Sequence, residues 1–206
     1  LRWVPRTSTH AAQKIPTNTE DQLFDMFLRT ALWIRDNGIR HPDLIVNFDQ
    51  TNIIIGDSGA RTFDVEGTKQ VGVVSKEEKR AWTAVVGISA SGAVLPTQVV
   101  MKGVTSRSLP SPHAPAMAEA QHLGIRFECN PKNHWSNLPC MMAYFRDIVV
   151  PYFLGRKLAL GYAPDVECRA NLDAWVIHRS KEFRRSVRQK WPWLRLGFIP
   201  GGCTSI

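Results

Sequence analysis

The chain of 206 residues carries 26 Lys and Arg against 18 Asp and Glu, a formal charge of +8, and is 44% hydrophobic with seven Trp. That apolar share, beside only 21% charged residues, excludes a disordered chain, and no apolar run approaches the roughly 18 residues a bilayer span needs, so no membrane partner is expected. The length suits one domain with short appendages and is ample for a hydrophobic core. No apolar stretch with a small-residue cleavage site opens the sequence, so nothing directs secretion. Cys129, Cys140, Cys168 and Cys203 contain no C-x-x-C pair. They read as reduced thiols of an intracellular protein rather than as a zinc or disulfide framework.

Residues 1–18 are polar and irregular. Thr19-Glu-Asp-Gln22 then has the form of a capping box, and Leu23, Phe24, Phe27, Leu28, Ala31 and Ile34 recur at helical spacing up to Asn37-Gly38. This predicts an amphipathic helix docked through that stripe. Leu44–Phe48 reads as a short buried strand with Asp49 at its C-terminal end. Trp82–Ala90 and Val94–Met101 form a hairpin about Ser91-Gly92.

Between Gly103 and Asn133 four prolines leave one strand candidate, Ile125–Cys129, in a long surface excursion. A helix starts at Ser136 or Asn137, buries Met142, Phe145, Ile148 and Val149, and kinks or stops at Pro151. Arg169–Leu172 is a brief strand ending in Asp173. Ser180 caps a helix to about Lys190 whose apolar side is Phe183, Val187 and Trp191. Leu194–Ile199 is the last strand. Strands and helices in this order describe a mixed α/β sheet.

Two features carry chemistry. Arg179 to Arg195 holds seven basic residues and one acidic, leaving only +2 for the rest of the chain. Within it Lys181, Arg184, Arg185 and Arg188 are spaced i, i+3, i+4 and i+7, one basic stripe suited either to solvent or to a polyanion. The other feature is a pair of acids, Asp49 and Asp173, each immediately beyond a short strand, where a sheet converges side chains into a crevice. On adjacent strands they would share a hard divalent ion, Mg²⁺ or Mn²⁺; each could equally cap a turn.

The blocks IVNFDQTN, KRAWTAVVGISASGAVLPTQVVMKG, NLDAWVIHRSKEFR and LGFIPGGCTSI resemble, in order, the catalytic domain of DDE-superfamily transposases of the pogo and mariner group and their endonuclease relatives. The resemblance covers residues 19–206. It implies a ribonuclease H-like mixed sheet flanked by helices, and two-metal phosphoryl transfer with water or a DNA 3′-hydroxyl as nucleophile. It maps the first two catalytic acids onto Asp49 and Asp173 as metal ligands. His178, five residues beyond Asp173, then either supports the site, contacts the scissile phosphate, or is an ordinary helix-entry histidine.

Two departures qualify the resemblance. Gln50 stands where many relatives have Glu, which leaves Asp49 in place. In the family a third carboxylate follows the Pro-Gly-Gly-Cys-Thr-Ser block within a few residues, whereas the sequence ends at Ile206. The expectation is a domain lacking its C-terminal end, with little or no nuclease activity as this polypeptide, and with residues 1–18 a linker or remnant of an upstream DNA-binding region. DNA is the implied partner, the nucleus the implied location in a eukaryotic host, and a homodimer stays open. Lys69 and Lys102 are further candidate phosphate contacts. Trp82, Trp135, Trp175, Trp191 and Trp193 read as core residues, with base stacking as the alternative. The competing functions are a non-catalytic nucleic-acid-binding derivative of a transposase, and a host nuclease acting on RNA–DNA hybrids.

Overall fold

The computed structural model describes residues 17–39, 41–54 and 81–201. Residues 1–16, Lys69 and Cys203, which enter the sequence reading, lie outside the described residues.

The sheet is built on β1 (Ile45–Ile54), with β2 (Ala81–Ser89) antiparallel to it from Val46↔Ser89 to Ile54↔Ala81. Next come β3 (Gln98–Lys102), antiparallel to β2, and β4 (Arg126–Asn130), parallel to β3. On the other flank β5 (Cys168–Leu172) is parallel to β1, and β6 (Leu194–Phe198) is parallel to β5. The order is β4-β3-β2-β1-β5-β6, and β2 alone among these six opposes the rest. This is the mixed helix-flanked sheet that the ribonuclease H-like expectation requires.

Alternation sets the two faces of the sheet. Val46 and Phe48 on β1, with Cys168, Ala170 and Leu172 on β5, are buried in one core with Met141, Tyr144, Phe145, Ile148 and Phe153. Ile45, Asn47 and Asp49, with Arg169 and Asn171, take the opposite face. Part of that face is covered by α1 (Thr19–Asp36), whose Trp33 Nε1 donates to Glu167 at 2.8 Å and whose Trp33 ring centre lies 5.7 Å from the Arg169 guanidinium.

Several local expectations change. Strand β1 runs on through the polar Asp49–Asn52, because β2 offers it ladder partners as far as Ala81 and pairing overrides composition. Asp49 therefore lies within the strand. The α1 N-cap is Asn18, not Thr19; Gln22 reaches back to Asn18 Oδ1 at 2.6 Å instead of closing a capping box. Phe24, Phe27 and Leu28, expected against the core, are exposed, and the helix docks through Trp33 and Ile34.

The hairpin is present, with Gly92 in the positive-φ region. Its second strand begins at Gln98, after Pro96, which has no N–H for the ladder. Within the excursion the structure adds a short helix, α2 (Met117–His122). Nor does Pro151 end the long helix. A π-helical turn over Phe145–Val149 joins α3 (Leu138–Tyr144) to α4 (Val150–Ala159), so the proline falls in the first turn of a new segment, where its missing N–H costs little. Asn137, Pro139 and the Ser180 cap stand as read.

Candidate active site

Strands β1 and β5 pair through Ile45↔Arg169, Val46↔Ala170 and Asn47↔Asn171, the last an offset of 124 (171 less 47). The same offset carries Asp49 to Asp173, the first residue beyond β5. Two acids far apart in sequence thus emerge at one level on neighbouring strands, whose spacing in a sheet is about 4.8 Å. β5 ends there while β1 continues against β2, so the sheet opens on that side of Asp49.

The two carboxylates are held differently. Asp49 is exposed, and its Oδ1 accepts the Gln50 backbone N–H at 2.7 Å. Asp173 Oδ1 accepts from His178 Nδ1 at 2.7 Å, and the Asp173 backbone oxygen lies 3.3 Å from the same nitrogen. Within the described residues neither Oδ2 has a protein partner. His178 sits on α5 (Val176–Arg179), is 1% exposed, and packs edge-on against Phe48 and Trp175.

Burial pushes the His178 imidazole toward its neutral form, and the Asp173 carboxylate acts against that shift. The ring is 1% exposed, and among the described residues its Nε2 has no hydrogen-bond partner. What it does is fix one oxygen of Asp173.

Sequence reasoning missed the polar row beside the acids. Asn47 and Asn171 face each other two residues before Asp49 and Asp173, and Arg169 Nε donates to Asn171 Oδ1 at 2.8 Å. Gly197 on β6 makes room for that pair: a Cβ there would come within 2.2 Å of Asn171 Oδ1 and 2.6 Å of the Arg169 guanidinium. The period of two, counted back from each acid, was the available signal. A cleft of about 440 Å³ opens here between α1, at Met26 and Arg29, and Arg169, Gly197 and Phe198.

Two hard carboxylates with a free oxygen each have the donor chemistry of a divalent-cation site. Among the described residues no group of three His, Cys, Asp or Glu comes together to hold a metal ion.

The basic stripe lies on α6 (Lys181–Lys190), where Phe183 and Val187 are buried and Lys181, Arg184, Arg185 and Arg188 are exposed. Two residues separate α6 from His178, so Lys181 lies at the acid end of the sheet, and the stripe then runs along α6 toward the opposite end, where β6, parallel to β5, begins. Lys102 is exposed at the end of β3. Trp175, Trp191 and Trp193 pack against the core and Trp82 is half-buried, whereas Trp135 is 48% exposed. Cys129, Cys140 and Cys168 are free thiols, and burial raises Cys140 to about 11 and Cys168 to about 12.

No protein-family model matches the chain, and no curated protein matches it. The structure is similar to solved mariner transposase complexes. One is the Mos1 mariner paired-end complex with Mn, at 11% identity and TM-score 0.49, over 98% of this chain and 48% of that one. Another is the Mos1 transposase paired-end complex with left transposon end, at 11% identity and TM-score 0.42, over 98% and 47%. A third is the pre-cleavage Mos1 transpososome, at 12% and 0.39, over 98% and 48%. The chain spans about half the length of the solved chains it matches.

Proposed function

We propose that this chain is a transposase-type domain for cleaving and joining DNA strands, in which Asp49 and Asp173 hold a divalent cation, Mg²⁺ or Mn²⁺. The observation that carries the reading is the β1–β5 register, which sets the two acids of the transposase-like sequence blocks opposite each other. Such an ion, when bound, polarises the phosphate and acidifies the attacking hydroxyl. Asp49 and Asp173 each offer it one unengaged carboxylate oxygen. His178 keeps Asp173 in one rotamer, so less freedom is lost when Asp173 takes up a ligand. Lys181, Arg184, Arg185 and Arg188 hold the DNA backbone through phosphate contacts, without reading bases, along a stripe that starts beside Asp173.

Two measurements test this. Mn²⁺ titrated into the 206-residue chain and followed by electron paramagnetic resonance should bind, and Asp49→Asn or Asp173→Asn should each weaken binding at least about tenfold. Nicking of supercoiled DNA by the full-length gene product in Mn²⁺ should vanish with Asp49→Ala. Nicking that survives that change overturns the proposal. DNA binding without Mn²⁺ binding would instead favour a non-catalytic nucleic-acid-binding protein derived from a transposase.

A further inference from the structure

Strand β4 is the edge of the sheet, and its outer side pairs with no strand among the described residues. Two hydrogen bonds decide which of its peptide groups face outward. Arg126 N–H donates to the Thr97 carbonyl, and the Asn130 carbonyl accepts from Gly103 N–H, both at 2.9 Å. Arg126, Glu128 and Asn130 therefore turn their main chain to β3, while Ile125, Phe127 and Cys129 turn theirs away from it. The Ile125 N–H is taken by the Ala120 carbonyl at 2.9 Å, and the Cys129 carbonyl by the Cys140 thiol at 3.8 Å. Phe127 is left with a donor and an acceptor side by side on the open edge.

A cavity of about 680 Å³ opens there. Side chains alternate along a strand, so a cavity that touches every residue from Ile125 to Glu128 lies against the strand's edge. Pro110, Pro112 and Met117 wall it from the excursion, and the π turn, a device common at functional sites, brings Arg146 and Asp147 to it. Those two are spent on each other: Arg146 Nε donates to Asp147 Oδ1 at 2.7 Å and Nη2 to Oδ2 at 2.5 Å. Arg126 and Glu128, about 6.6 Å apart along one face of β4, have no hydrogen bond or ion pair among the described residues. Gln98, level with Arg126 on β3, lines the same cavity. Its Nε2 holds the Cys140 carbonyl at 3.0 Å, and its buried Oε1 has no partner among the described residues. Burial pushes the Glu128 carboxyl up, so a cation beside it is favoured.

We propose that the edge of β4 receives an extended segment of a partner protein, antiparallel to β4 and reading basic, apolar, acidic. The middle residue exchanges both main-chain hydrogen bonds with Phe127. In antiparallel pairing the residue before it stands opposite Glu128 and the residue after it opposite Arg126. A lysine then meets the unpaired carboxylate and a glutamate the unpaired guanidinium. Parallel addition would spread the two backbone bonds over two partner residues and call for the reverse order of charges. One backbone pair and two charge contacts make a weak site, with a dissociation constant on the order of 100 µM.

The probe is the capped peptide Ser-Thr-Lys-Val-Glu-Thr-Ser, titrated into the ¹⁵N-labelled 206-residue chain and followed by nuclear magnetic resonance. It should saturate near that concentration, with the largest shift at the Phe127 amide. N-methylation of its valine removes the N–H that the Phe127 carbonyl accepts, and should weaken binding about tenfold, which charge attraction alone does not do. Ser-Thr-Glu-Val-Lys-Thr-Ser should bind at least about tenfold more weakly, and Arg126→Glu with Glu128→Lys should exchange the two preferences. No binding by the first peptide overturns the proposal, as do equal binding of the two charge orders or indifference to N-methylation. These comparisons use the unsubstituted chain, so they decide the matter even where the double variant does not fold. None of the samples contains metal or DNA, so failure here leaves the proposed function standing, and the reverse holds as well.

Discussion

Asp43 and Asp49 lie six residues apart on either side of the first half of β1, and their surroundings are opposites. Asp43, in a 3₁₀ turn at Pro42–Leu44, is 3% exposed and saturated with donors. Ser91 Oγ donates to its Oδ1, and Arg156 Nε on α4 donates to its Oδ2 at 2.6 Å. It ties the entry of β1 to the β2–β3 turn and to α4. Asp49 is exposed and accepts one backbone N–H, leaving an oxygen uncommitted at the level where Asp173 arrives. A carboxylate whose donors are all supplied by the protein holds the fold together. One left partly unpaired where parallel pairing ends is placed to take a ligand.

Exchanging the two roles by mutation tests that contrast. The largest expected effect is from Asp49→Ala, which should reduce metal-dependent nicking by the full-length gene product to background while leaving the unfolding temperature within about 2 °C, since the side chain is exposed. A matching fall in stability would place Asp49 in the same class as Asp43. Next, reversing Lys181, Arg184, Arg185 and Arg188 together should lower duplex DNA affinity about a thousandfold at moderate salt and reduce the slope of log affinity against log salt by about 3 to 4. Filter binding at several salt concentrations measures both, and an unchanged slope would remove α6 from the DNA path.

His178→Ala should cost about 10- to 100-fold in Mn²⁺ affinity, because Asp173 loses the donor that orients it. If His178→Asn, which can still donate to Asp173, recovers part of that loss, the effect is one of positioning.

The smallest effect belongs to the other aspartate. Asp43→Asn should lower stability by about 2 kcal/mol, the scale of a buried hydrogen bond to a charged group, without changing Mn²⁺ affinity. Ser91 first, then Arg156, holds the Asp43 carboxyl below the ordinary 3.8, against the opposing effect of burial. Its contribution is therefore complete above about pH 4 and disappears as pH falls through the folded-state pKa. Urea unfolding of the two proteins between pH 7 and pH 2.5 should converge at the acid end; curves that stay parallel would show that Asp43 contributes no charge-dependent stability.

Much of this was legible along the chain wherever the cause was local. The basic stripe of α6, its Ser180 cap, the Gly92 turn and the strand before Asp173 all follow from side-chain period and backbone preference, which neighbouring residues decide. The sequence blocks themselves singled out Asp49, Asp173 and His178. What the sequence could not decide depended on partners distant in the chain. β2 prolongs β1 past its polar residues, a π turn absorbs Pro151, and α1 docks by Trp33 because Glu167 and Arg169 arrive from β5 and the segment before it. Above all, the offset of 124 residues that brings Asp173 level with Asp49 is a matter of strand register. Register is set by which hydrophobic face the core accepts, and that is decided only when the sheet closes on its helices.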